Sequence, residues 1–226
     1  MKNTLEWMNQ EKYHLAYYLI GILLLGFGVN IMKASTLGAG AWDTVTINIR
    51  DYLMIVQGNT WVTLGMISFS ISLTIMLIVF VYRRKWKFLL MIVPVILVAL
   101  AIDFWNGFVF LDRVAGQFVF KLLFYLVGTF TLPFGLALVV KSSYPAFVFD
   151  EWMLMLVKIF KAKKITFVRL GIEFTGIAIG GLFGYLTYYA STGGFGAVNL
   201  GSFIFSFMLS PIMATYYKWM KIHRKD

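Results

Sequence analysis

The 226-residue chain contains no cysteine, which excludes several kinds of chemistry at once. Disulfides, thiolate nucleophiles, iron–sulfur clusters and cysteine-ligated zinc all need that side chain. Histidine is nearly as scarce, since only His14 and His223 are present, beside the first and last apolar stretches. We therefore expect neither a metal centre nor a bound cofactor.

Charged residues are also few, at 13% of the chain against about 25% in a soluble domain, whereas 60% of the residues are hydrophobic. This composition excludes a water-soluble fold. The net charge of +10 would suggest nucleic acid in a soluble protein, but here the basic residues lie in short runs between long apolar stretches. We interpret the charge as a membrane-topology signal, with the lipid bilayer as a partner and no nucleic acid.

Several catalytic motifs are missing from the sequence. It contains no G-x-x-x-x-G-K-[ST] phosphate loop, no H-E-x-x-H zinc motif, no G-x-S-x-G elbow and no dinucleotide-binding fingerprint. We therefore predict that the protein is not an enzyme and that it does not drive ATP-dependent pumping by itself.

What the chain has instead is six long uncharged runs. A helix needs about 20 mostly apolar residues to cross a hydrocarbon core of ~30 Å. Runs of this size cover residues 13–32, 62–82, 88–108, 119–140, 168–189 and 198–217. The sequence thus predicts an all-α membrane protein with six transmembrane helices. Trp42, Trp152 and the other five tryptophans fall near span ends or in connections, so we interpret them as interfacial anchors.

The positive charges predict the orientation, because short cytoplasmic loops retain lysine and arginine. With a cytoplasmic N-terminus and a retained first span, sixteen of the twenty basic residues lie on the cytoplasmic side: Lys2, Lys12, Arg83, Arg84, Lys85, Lys87, Lys141, Lys158, Lys161, Lys163, Lys164, Arg169, Lys218, Lys221, Arg224 and Lys225. Lys33, Arg50, Arg113 and Lys121 fall on the other side. We expect a bacterial cytoplasmic (inner) membrane protein with both termini cytoplasmic.

The two halves of the sequence are related by an internal repeat. At a shift of 107 residues, Gly28 falls on Gly135, and the same shift places Ser35 on Ser142, Ala39 on Ala146 and Asp43 on Asp150. One integral membrane domain then consists of residues 1–113 and 114–226, with three spans in each half. An odd number of spans means that the second half enters the membrane from the opposite side. This predicts two inverted three-helix repeats, an arrangement common in transporters.

Residues 26–43 combine a glycine-rich helix end with the segment Leu37-Gly38-Ala39-Gly40-Ala41-Trp42-Asp43. This stretch resembles the YczE/YyaS/YitT-type bacterial integral membrane proteins, which share a segment of the form A-x-L-G-x-x-P-W-D; Ala41 stands at the proline position. The resemblance implies an inner-membrane protein with six spans in two halves, for which transport is proposed by analogy.

Asp43 and Asp150 are the first candidates for a solute pathway. They occupy matching positions in the repeat, and each begins an apolar segment too short to span, residues 43–56 and 150–160. These segments could be interfacial helices with the aspartates as N-terminal caps. They could instead re-enter the membrane and bring polar groups into a cavity.

Two further acidic residues are candidates for the same pathway. Glu173 lies well inside an uncharged run, and an intramembrane charge suggests a function. The alternative is an ion pair with Arg169, four residues earlier on the same helix face, which would neutralise the charge of Glu173 without any function. Asp103 lies near the external end of the third span. Contact with water at that end, or a role as a helix cap, is the alternative to a role in the pathway.

Small residues recur on the predicted spans. Gly176, Gly180 and Gly184 repeat every four residues on the fifth span, and Gly21, Gly28, Gly128 and Gly135 lie at matching positions of the first and fourth spans. Glycine lets helix backbones approach closely in a membrane. We predict helix packing at both sets of positions.

Three classes of function fit these features. The first is a small secondary transporter or channel for an unknown small solute or ion. The second is a substrate-binding subunit of an uptake system that is energised by separate proteins. The third is an accessory or scaffold protein that transports nothing. Homo-oligomers and membrane partner proteins are compatible with all three.

Overall fold

The structure, a computed structural model, describes residues 2–145, 147–162 and 164–222. Ala146, Lys163, His223, Arg224 and Lys225, which enter the sequence patterns above, lie outside these ranges. The described residues are mainly helical and include no strand. Their eight α-helices are α1 (Lys2–Ser35), α2 (Ala41–Asp51), α3 (Leu64–Arg83), α4 (Ile92–Trp105), α5 (Phe118–Lys141), α6 (Val148–Ile159), α7 (Ile165–Thr192) and α8 (Leu200–Trp219).

Six helical segments are long and apolar enough to cross a membrane, which confirms the six predicted spans. They are Lys12–Ser35, Leu64–Arg83, Phe88–Phe110, Phe118–Lys141, Ile165–Thr192 and Leu200–Trp219. The remaining helices, α2 and α6, have 11 and 12 residues. At 1.5 Å per residue they are about 16–18 Å long, roughly half of the hydrocarbon thickness.

The third span is not the continuous helix that its apolar run predicts. It begins with a 3-10 segment, Trp86–Met91, continues as α4, and ends in a π-helical turn, Asn106–Phe110. Asn106 and Gly107 are poor helix formers, which favours a change of helix type at that point. Leu111 then adopts a left-handed conformation, with φ of 49°, and ends the segment.

Helices α1 and α5 pack closely because glycines remove side chains from their contact. A Cβ built at Gly21 would lie 2.8 Å from the carbonyl oxygen of Gly135, and one built at Gly135 would lie 2.8 Å from that of Gly21. Further along, Gly28 faces Leu132, and Gly128 faces the side chain of Met32. The two helices are therefore antiparallel neighbours at backbone distance.

Helix α2 lies inside the protein, along the glycine row of α7. Gly176, Gly180 and Gly184 face Ala41, Thr44 and Asn48 in that order, so α2 runs in the same direction as α7. Seven of its residues are buried: Ala41, Thr44, Val45, Thr46, Ile47, Asn48 and Arg50. An interfacial helix would leave one face in contact with headgroups, whereas α2 has protein on most sides.

A buried asparagine fixes α2 in this position. Asn48 is fully buried, and its amide nitrogen donates to the carbonyl oxygens of Gly180, at 2.8 Å, and Phe195, at 3.0 Å. Its amide oxygen accepts from the backbone N–H of Ala197 at 2.8 Å. One side chain therefore joins α2, α7 and the connection before α8.

Charged residues join four segments at the end of the molecule that contains Asp112. Lys33 and Arg50 both pair with the Asp112 carboxylate, the second at 2.6 Å. Arg50 also contacts Asp51 at 3.2 Å, and the Tyr188 hydroxyl donates to Asp51 at 2.7 Å. The network links the last turns of α1, α2 and α7 to the connection before α5.

Asp112 makes the stability of this network depend on pH. Burial alone would raise the pKa of its carboxyl, but hydrogen bonds from Lys33 and Arg50 outweigh burial and hold the pKa below its usual value. A depressed carboxyl pKa in the folded state stabilises the protein above the unfolded value of about 3.9. That contribution is lost as the pH falls through the folded pKa.

We expect Asp112→Asn to lower the melting temperature in detergent at pH 7, because the partly buried Lys33 loses its carboxylate and Arg50 keeps only Asp51. The difference from the native protein should shrink as the pH falls from about 5 through the folded pKa, which lies below the usual value of about 3.9. A difference that is constant over this range would show that the Asp112 charge does not contribute.

Candidate functional site

A cavity of about 170 Å³ lies at the centre of the helix bundle. All eight helices contribute to its wall, as do residues just before α2 and α6: Leu25, Val29, Gly40, Ala41, Trp42, Asp43, Ser68, Ser72, Val95, Val98, Ile102, Leu132, Leu136, Phe147, Val148, Phe149, Asp150, Met153, Arg169, Ile172, Glu173, Phe205 and Leu209. A space of this size can hold several water molecules or a small solute.

The cavity brings together three of the four acidic residues that the sequence singles out. Asp43 and Asp150 reach it from the first turns of α2 and α6, and Glu173 reaches it from α7. Asp103 lies elsewhere. It accepts hydrogen bonds from the Thr63 hydroxyl and the Gly65 backbone N–H, both at 2.7 Å, and so holds the beginning of α3.

The two aspartates are not the N-caps that the capping hypothesis requires. Gly40 and Phe147 hold the cap positions of α2 and α6, and each aspartate is the third residue of its helix. Neither helix has a side-chain cap hydrogen bond. The carboxylates instead lie beside the first turn, where the partial positive charge of a helix N-terminus stabilises them.

Glu173 does not form the ion pair with Arg169 that would satisfy it locally. Among the described residues, the ion pairs within 4.0 Å do not include either side chain. The Ser206 hydroxyl lies 3.3 Å from the Glu173 carboxylate and 3.0 Å from the Ser202 carbonyl oxygen. Because a hydroxyl has a single proton, it can donate to only one of them at a time.

Aromatic side chains join the two short helices at the cavity. The ring of Trp42 lies 5.3 Å from that of Phe149 and 5.3 Å from that of Trp152, with the second pair edge to face. Trp42 therefore lines the central cavity, and its contact with Trp152 joins α2 to α6, which the interfacial-anchor interpretation does not predict.

The wall does not have the ligands of a metal site. Among the described residues, no three histidine or acidic side chains lie close enough together to hold a metal ion. The carboxylates are instead distributed around a mainly aliphatic and aromatic wall. Such a wall, with a few charged groups, is typical of a pocket for a small organic molecule.

A comparison with protein-family models matches residues 12–218 to a model described as "Family of unknown function (DUF6198)". The chain belongs to the DUF6198 family. The matched region contains every residue that lines the cavity in this DUF6198 protein. No curated protein and no solved structure matches the chain.

Proposed function

We propose that this DUF6198 protein is a small secondary transporter or channel whose solute site is the central cavity. The observation that carries the proposal is the convergence of Asp43, Asp150 and Glu173 on one cavity, from two short helices and a span. Carboxylates at membrane depth are costly, and they commonly mark substrate or ion pathways. A purely structural protein would gain more stability by filling this space with apolar side chains.

The same observations support an inverted repeat of two three-span halves. The matched residues Asp43 and Asp150 line the same cavity, and the matched glycines of α1 and α5 lie near each other. In this proposal α2 and α6 are re-entrant helices that begin near the bilayer midplane. Half-helix N-termini at a repeat interface are a recurrent way of building transporter sites.

We further propose that the protein lies in a bacterial cytoplasmic membrane, is not an enzyme, and moves its solute without an ATPase partner. The resemblance to the YczE/YyaS/YitT-type proteins supports the six-span, two-half organisation. The proposal assigns the site to a single chain, because the cavity lies between helices of one chain.

Transport can be tested before the solute is known. Proteoliposomes loaded with a bacterial metabolite extract should lose one or a few solutes that protein-free liposomes and Glu173→Gln proteoliposomes retain. Mass spectrometry of the external medium identifies them. If native proteoliposomes retain every solute that the controls retain, the hypothesis of transport without a partner is wrong. The accessory protein and the partner-energised subunit are then the remaining alternatives.

The proposed orientation has its own test. A reporter that is active only outside the cytoplasm should be silent when it is fused after Asp226, and active when it is inserted into the uncharged stretch from Ala190 to Asn199. The opposite pattern would invert the orientation without affecting the cavity.

A further inference from the structure

The charge around the cavity is unbalanced. Three carboxylates line it, those of Asp43, Asp150 and Glu173, against one guanidinium, that of Arg169. The first turns of α2 and α6 add about half a positive charge each. With all three carboxyls ionised, the wall has an excess of about one negative charge, which either a bound cation or uptake of a proton relieves in a low-dielectric space.

The rest of the wall favours a solute with an apolar body. Aliphatic side chains from five spans form most of it, among them Leu25, Val98, Leu132, Ile172 and Leu209. A bare inorganic cation would gain nothing from this surface, and the described residues offer no cluster of three metal ligands. An organic body would remove the same surface from water.

Size limits the solute further. The cavity volume of about 170 Å³ is slightly larger than the engineered cavity of about 150 Å³ that binds benzene. A ring of that size with one short charged substituent therefore fits. Trp42 and Phe149, which precede Asp43 and Asp150 in the sequence, also line the cavity, and aromatic faces attract ammonium groups.

We propose that the cavity binds a small monovalent organic cation, a protonated amine on an aromatic or compact aliphatic body. This inference rests on the proposed function, since it names the substrate class for the same site. The ammonium lies near Asp43 and Glu173, and the apolar body lies against the aliphatic wall.

Three probes that share one ring but differ in charge test the proposal: benzylamine, benzyl alcohol and benzoate. Binding is measured on the purified full chain in detergent at pH 7, by calorimetry and by the shift in melting temperature. We expect benzylamine to bind and to raise the melting temperature, and the alcohol and the carboxylate to do neither at the same concentration.

Variants locate the binding. Asp43→Asn and Glu173→Gln should each weaken benzylamine binding at least tenfold, so a folding failure of one variant leaves the other as a test. Asp103→Asn removes a carboxylate outside the cavity and should leave the affinity unchanged, which controls for the general effect of removing one negative charge. Equal affinity in all variants would overturn the assignment.

The remaining outcomes separate this inference from the proposed function. Equal or tighter binding of benzoate or benzyl alcohol would overturn the cationic class, as would no binding of any probe, even if proteoliposomes move another solute. Benzylamine binding by a protein that moves no solute would support the cation site and refute transport.

Discussion

Gly180→Leu should prevent the protein from folding into its native packing, whereas Gly181→Leu should not. A Cβ at Gly180 would overlap the Thr44 hydroxyl and lie 3.1 Å from the Thr44 carbonyl carbon, while one at Gly181 meets nothing within 4 Å. Overpacking a core typically costs 1–3 kcal/mol, and here rigid backbone blocks the side chain, so about 3 kcal/mol or more is expected.

The two variants form a matched pair, because they make the same chemical change at neighbouring positions of one helix. Leucine is also a better helix former than glycine, so any loss at Gly180 comes from packing against α2. The measurement is the fraction of monodisperse protein after detergent extraction, followed by its melting temperature. Similar values for the two variants would mean that the glycine row does not support α2.

Asp43→Asn should abolish transport while leaving the protein folded. Asparagine keeps the shape and the hydrogen-bonding oxygen of aspartate but lacks its charge. If a cation must be held in the cavity, the loss should exceed tenfold in initial rate, measured with whichever solute native proteoliposomes release. Asp43 is the stronger choice of the two aspartates because it retains the Trp-Asp context that Phe149-Asp150 lacks.

Asp103→Asn is the control, since it makes the same substitution outside the cavity. Asp103 accepts hydrogen bonds from Thr63 and Gly65, so its variant should lose stability but keep its transport rate per folded molecule. Asp43→Asn should show the opposite pattern, with an unchanged melting temperature and no transport. Full activity of Asp43→Asn would show that transport does not need the charge of Asp43.

Features with a local signal could be predicted from the sequence. Six spans follow from six uncharged runs, and the short helices α2 and α6 follow from apolar segments too short to cross. The break at Asn106 and Gly107 was missed because the hydropathy of the run stays high through it. A hydropathy pattern measures lipid compatibility and does not report the helix type.

Features that depend on long-range packing could not be predicted. Asn48 gave no periodic signal, yet its amide joins segments that are more than 130 residues apart in sequence. The sequence singles out Glu173 as an acid inside an apolar run, but its hydrogen-bonding neighbour Ser206, which lies on another helix, could not be predicted. Which side chains meet in the cavity depends on how all eight helices pack together. The sequence of a single helix does not contain that information.

The most direct test of the central claim uses the natural absence of cysteine. Ser72 lines the cavity, and Ser70, on the same helix, is exposed on its outer surface. In sealed vesicles of both orientations, a cationic, membrane-impermeant methanethiosulfonate reagent should modify Ser72→Cys from each side. It should leave Ser70→Cys unmodified, because a thiol surrounded by lipid does not ionise. An unreactive Ser72→Cys from both sides, or equal reaction of the two variants, would contradict a solute site at the centre of the bundle.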